Sequence, residues 1–71
     1  MFICDTKVFV NEEVMECHNN VFKDLNMARD FSFKMHTMYK CLVITRVVGV
    51  DDNTRYIITA DNNDVIIETV H

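Results

Sequence analysis

At 71 residues the chain is one small domain, and a fold of that size buries only ~60% of the surface its unfolded form exposes, so its core alone leaves it marginal. A composition that is 49% hydrophobic and 25% charged is that of a folded globule and argues against intrinsic disorder. A net charge of -4 argues against nonspecific binding to DNA or an anionic membrane, and no apolar run approaches the ~18 residues of a membrane span.

The chain begins MFICDTKVF, with an acid and a base by its seventh residue, so no secretory leader is expected. Cys4, Cys17 and Cys41 are odd in number and lack paired spacing. They are expected as free thiols in a reducing compartment, the cytoplasm. FICDTKVFV, residues 2–10, reads as a strand. NEE then turns the chain into a short second strand, VMECH, although a helix opening at Asn11 competes for that segment.

In the middle segment the period changes. Leu25, Ala28, Phe31, Met35 and Met38 recur at spacings of three and four, which predicts a helix over Leu25–Tyr39 with that stripe against the core. Asp24 is placed to cap its first amides and to complement the positive end of its dipole. Lys40 suits the opposite end.

Three strands follow as a meander: CLVITRVVGV, RYIITA and DVIIETV, separated by DDNT and DNND. With no proline and one glycine, Gly49, the turns fall to Asn and Asp, which tolerate left-handed backbone and bond their own neighbouring amides. In the last strand Val65, Ile67 and Thr69 are expected on one side, and Asp64, Ile66, Glu68 and Val70 on the other. The order β-β-α-β-β-β predicts an α+β domain with a single helix on a mostly antiparallel sheet of four to five strands.

One helix covers only one face of such a sheet. Leu42, Ile44, Val48, Tyr56, Ile58, Ile66 and Val70 are expected on the other, more apolar area than a monomer normally leaves in one patch. A homodimer or an obligate partner is therefore expected, with Tyr56, Ile58, Ile66 and Val70 in the interface of the dimer.

Catalytic and metal chemistry find little support. Cys17 and His18 are the only close Cys/His pair, and on a strand they point to opposite faces, so they read as a buried thiol beside a surface imidazole and not as zinc ligands. DNNDVIIE lacks the central glycine and alternating oxygens of a calcium loop. One glycine cannot build a phosphate loop, and no nucleophile, base and donor set forms in the sequence. No catalytic residue, metal ligand or cofactor is assigned. A nucleic-acid module using Tyr56, Arg55 and Arg46, and a structural oligomer subunit, are the alternatives to a protein-binding role.

Charge is unevenly placed. Residues 1–20 sum to -3, residues 21–40 to +2 and residues 41–71 to -3. The candidate partner-binding acids are Glu12, Glu13, Asp51, Asp52, Asp61, Asp64 and Glu68. At the four aspartates an amide would serve a turn equally well, so the choice of charge asks for its own cause.

In its Met- and Asn-rich character, its lack of Pro and Trp, and the passage VFKDLNMARDFSF leading to an acidic, hairpin-rich end, the chain resembles small phage-encoded proteins of host takeover. That resemblance implies a noncatalytic inhibitor of a host protein with a basic surface, including DNA mimics that occupy the groove of a DNA-binding protein without touching nucleic acid themselves. It rests on overall style and transfers no site residue.

Overall fold

The computed structural model describes residues 1–71. Its elements are β1 (Phe2–Val10), β2 (Glu13–Phe22), α1 (Leu25–Tyr39), β3 (Leu42–Gly49), β4 (Arg55–Asp61) and β5 (Asp64–Val70). The five strands form one open antiparallel sheet in the order β2-β1-β3-β4-β5, and α1 crosses one face of it, an α+β fold.

Residues 13–22 are strand, which resolves the competition with a helix and extends VMECH to a full edge strand. The turn decides it. Asn11 and Glu12 both take positive φ, 50° and 68°, the two-residue geometry that matches the twist of paired strands. Asn62 and Asn63, at 51° and 60°, repeat it between β4 and β5, and Asn53 supplies the left-handed residue of the β3–β4 loop. Gly49 closes that loop, its N–H donating to Thr54 O at 2.8 Å and its carbonyl accepting from the Asn53 amide at 2.9 Å, and a Cβ there would meet Asp52 Oδ1 at 2.7 Å.

The helix spans Leu25–Tyr39 as its periodicity predicts, and Asp24 Oδ1 accepts from the Met27 amide at 2.9 Å. Lys40 ends it in the left-handed conformation, its N–H on His36 O. The expected stripe needs one correction: Met38 is exposed, and Ser32, His36 and Tyr39 join Leu25, Ala28, Phe31 and Met35 against the sheet. A seam of 25, 28, 32, 35 and 39 stays over the strands, whereas position 38 drifts toward solvent.

The core is thin. Cys4, Ala28, Val47 and Ile58 form one buried cluster, and Val8, Met35, Val43 and Ala60 a second. Between them lie three buried hydroxyls, Thr6, Ser32 and Thr45. Only 13 of 71 residues are buried, so the sandwich of helix and sheet leaves much of its stabilising area unused.

The β3–β4 loop sets a register of Val48 opposite Arg55 and Val47 opposite Tyr56. Tyr56 and Ile58 therefore share the helix face with Val47 and Thr45, and Ile58 is fully buried. Their expected place on the uncovered face is corrected: Ile57 stands there instead. Leu42, Ile44, Val48, Ile66 and Val70 lie on the uncovered face as expected, as does the division of β5 residues.

Candidate functional site

The uncovered face is built by alternation and register. From β2 to β5 its side chains form four rows across the sheet. One runs Val21, Ile3, Val48, Arg55, Val70; the next Asn19, Asp5, Arg46, Ile57, Glu68; the third Cys17, Lys7, Ile44, Thr59, Ile66. The last holds Val14, Phe9 and Leu42, with Asp61 opposite Asp64 at its far end. Ile3, Val14, Val21 and Ile66 are each 51–55% exposed, far from the burial their side chains favour.

Charges of both signs are set into this apolar ground. Lys7 Nζ lies 3.6 Å from Asp5 Oδ2, both partly exposed, and Asp5 is the register partner of Arg46. A shallow hollow of about 200 Å³ opens among Asp5, Lys7, Phe9, Val14, Ile44 and Arg46. Cys17 donates its S–H to Asp5 Oδ1 at 3.3 Å, and this bond to a carboxylate holds the thiol above its usual pKa. Exposed as it is, Cys17 is thereby kept in its less nucleophilic form.

The expected acidic surface is divided. Glu12, Glu13, Asp61 and Asp64 stand at one end of the sheet, beside the β1–β2 and β4–β5 turns. Asp51 and Asp52 stand at the other, roughly 23 Å away at ~3.3 Å per strand residue. Glu68 lies mid-strand opposite Ile57. Several acids also have local work: Asp51 faces the N-terminal ammonium at 3.6 Å, and Asp61 and Asp64 accept from the Asn62 and Val65 amides. Asp52 accepts from the Thr54 amide at 3.0 Å, which holds its carboxyl below the ordinary range.

The remaining chemistry-bearing side chains are dispersed. The expected pairing at residues 17 and 18 is reversed: Cys17 is exposed on the open face, while His18 turns to the helix side, edge-on to Phe31 with Nε2 3.4 Å from Glu16. A hydrogen bond to the Glu16 carboxylate pushes the Tyr39 hydroxyl up. Cys4 is buried, which raises its thiol. His36 is buried with both nitrogens engaged, Nδ1 on Cys41 O at 2.7 Å and Nε2 accepting from the Asn63 amide at 3.0 Å. A carbonyl partner asks for a donor and an amide partner for an acceptor, which assigns the donor role to Nδ1 and the acceptor role to Nε2. A wide polar notch of about 500 Å³ lies beside it, between the helix end and the β4–β5 turn. No group of three or more His, Cys, Asp or Glu is arranged to hold a metal ion.

Tyr56 packs edge-on against Phe2 under the helix and faces away from Arg46 and Arg55, so the three do not form a common base-stacking platform. Reasoning on the sequence missed Asp5, Lys7 and Ile57 as members of the open face. Alternation in FICDTKVFV carries the signal for the first two, since Ile3, Asp5, Lys7 and Phe9 oppose Cys4, Thr6 and Val8. No helix is long and apolar enough to cross a membrane. Compared with known proteins, the chain matches no family model, no curated protein and no solved structure.

Proposed function

We propose that the chain is a noncatalytic protein-binding module whose contact surface is the uncovered face of the sheet. The supporting observation is that face itself: apolar side chains from all five strands, set among charges of both signs, on a domain whose own core is thin. Exposed apolar area of this extent is the common mark of a protein contact.

A second reading is favoured by the shared end of Glu12, Glu13, Asp61 and Asp64: this acidic end enters the basic groove of a DNA-binding protein, as a mimic of phosphates. The separation of Asp51 and Asp52 from that end shortens the array and weakens this reading against the first.

The two are told apart by capture, with variants of matched fold, from bacterial lysate that also contains a differently tagged copy of the original chain. Ile57→Lys should lose the protein retained by the original chain, while Glu12→Gln, Glu13→Gln, Asp61→Asn and Asp64→Asn together should keep it. The reverse pattern, with competition by DNA and loss at high salt, supports mimicry instead. Equal capture by every variant sinks both.

A further inference from the structure

The partner that covers the open face can be identified from the face's own charges. We propose that it is a second copy of the chain, stacked face to face about a two-fold axis that lies perpendicular to the strands and crosses β3 between Ile44 and Arg46. This rests on the reading of that face as the contact surface.

Rotation about such an axis keeps each strand over its own copy and exchanges the two ends of the sheet. The row of Ile3 and Val48 then meets the partner's row of Phe9 and Leu42, apolar on apolar. The row of Asp5 meets the row of Lys7, so Asp5 faces Lys7 of the other copy, twice by symmetry. At the rim, Arg55 comes over Asp61 of the other copy, again twice. Val21 meets Val14 on the edge strand. Arg46, next to the axis, keeps Asp5 of its own copy as register neighbour and faces Ile44 of the other copy, while Glu68 comes over Ile66 and Asp64 over Val70.

The competing two-fold, parallel to the strands, does the opposite. It sets Arg46 on Arg46, Asp5 on Ile57 and Arg55 on Ile3, so no pair of opposite charges forms across the interface and one pair of like charges does. The balance of signs points the same way. Lys7, Arg46 and Arg55 stand against Asp5, Asp61, Asp64 and Glu68, so the face is near neutral although the chain carries -4. A partner with a strongly basic surface gains little from it; a copy of itself gains both pairs.

The area is sufficient. Five strands at ~4.8 Å spacing and about eight residues at ~3.3 Å rise give a flat footprint of about 600 Å² before side-chain relief, close to the ~800 Å² per partner of a standard interface. Stacked sheets rotate by ~30°, which moves the inner Asp5–Lys7 contacts least and leaves the outer contact to the long Arg55 arm.

Complementary charge reversal tests the register. The original chain should scatter light at twice its 8.3 kDa at micromolar concentration. Asp5→Lys alone sets two lysines against each other across the interface, and Lys7→Asp alone sets two aspartates there; each should weaken self-association at least tenfold with an unchanged circular dichroism spectrum. Mixed in equal amounts, these two variants should recover a dimer containing one of each. A mixture of Asp5→Lys with Arg55→Asp should not recover, since each copy keeps one repelled pair. If the first mixture stays monomeric, or the second recovers equally, the register is overturned while the face remains a contact surface. A monomeric original chain overturns the self-association, and only capture that is also indifferent to Ile57→Lys removes the contact surface itself.

Discussion

Thr6, Thr45 and Ser32 occupy the middle of the core, and their hydrogen bonds admit only one direction. Ser32 Oγ donates to Ala28 O at 2.9 Å, so Thr45 must donate to Ser32 at 2.6 Å and Thr6 to Thr45 at 3.0 Å. Every hydroxyl proton is used. Thr45→Val breaks both neighbouring bonds and strands the Thr6 proton in a buried site, and should cost about 1–3 kcal/mol in denaturant unfolding. Replacing all three, with Thr6→Val, Thr45→Val and Ser32→Ala, should cost less than the sum of the single changes, because no donor is left unsatisfied. A second residue-scale test concerns Asp52. Its carboxyl is lowered in the folded state by the Thr54 amide, so the stabilisation it contributes is present above the unfolded value of ~3.9 and is lost as pH falls through the folded one. The Thr54 amide proton shift should titrate with a midpoint below that of a free aspartate; a midpoint at the free value refutes the bond. Such partnerships were not legible in the sequence. The Asx clusters announce turns, but nothing in DDNT tells which acid bonds an amide and which, like Asp51, meets the N-terminus.

Elements were the most legible scale, since each carries its own local chemistry. The helix ends follow from Asp24 and the left-handed Lys40, and the hairpins from Asn pairs and clusters. Glu12 is the exception that shows the cost: a side chain with a Cβ held at φ 68°, in a turn position that favours glycine. Glu12→Gly should therefore raise stability by about 0.5–1 kcal/mol, read as a higher thermal midpoint, whereas Asn63→Val should lower it by straining a left-handed residue whose amide also serves His36. What pattern alone misjudged was the parity of β4. YIITA is apolar on both sides, so alternation does not choose a face; the length of the β3–β4 loop does, by setting Val48 opposite Arg55. Where polar residues interrupt a strand, as Asp5 and Lys7 do in β1, the face can be read directly, and there the pattern agrees with the register.

At the scale of the molecule, adjacent residues of β4 should answer to opposite demands. Ile58 is fully enclosed between sheet and helix, and Ile57 stands on the open face beside Arg46 and Glu68. A charge at 58 enters the monomer core with no partner, so Ile58→Lys should abolish cooperative unfolding at any concentration. A charge at 57 leaves that core untouched and acts only on what covers the sheet. If the cover is a second copy, folding and association are linked, and the stability should rise by about 1.4 kcal/mol per chain, or about 2.7 kcal/mol per dimer, for each hundredfold increase in concentration above the dissociation constant. Ile57→Lys should keep a helical spectrum and a cooperative transition while losing that dependence, its midpoint resting at the value of the dilute original chain. Thermal melts across a hundredfold range of concentration make the comparison. A midpoint that does not move for the original chain means that the thin core suffices on its own and that the open face contributes nothing to folding; a midpoint that still moves for Ile57→Lys means that the copies meet elsewhere, along the exposed edge of β2 or β5, where unpaired backbone groups offer the only other long strand-to-strand contact.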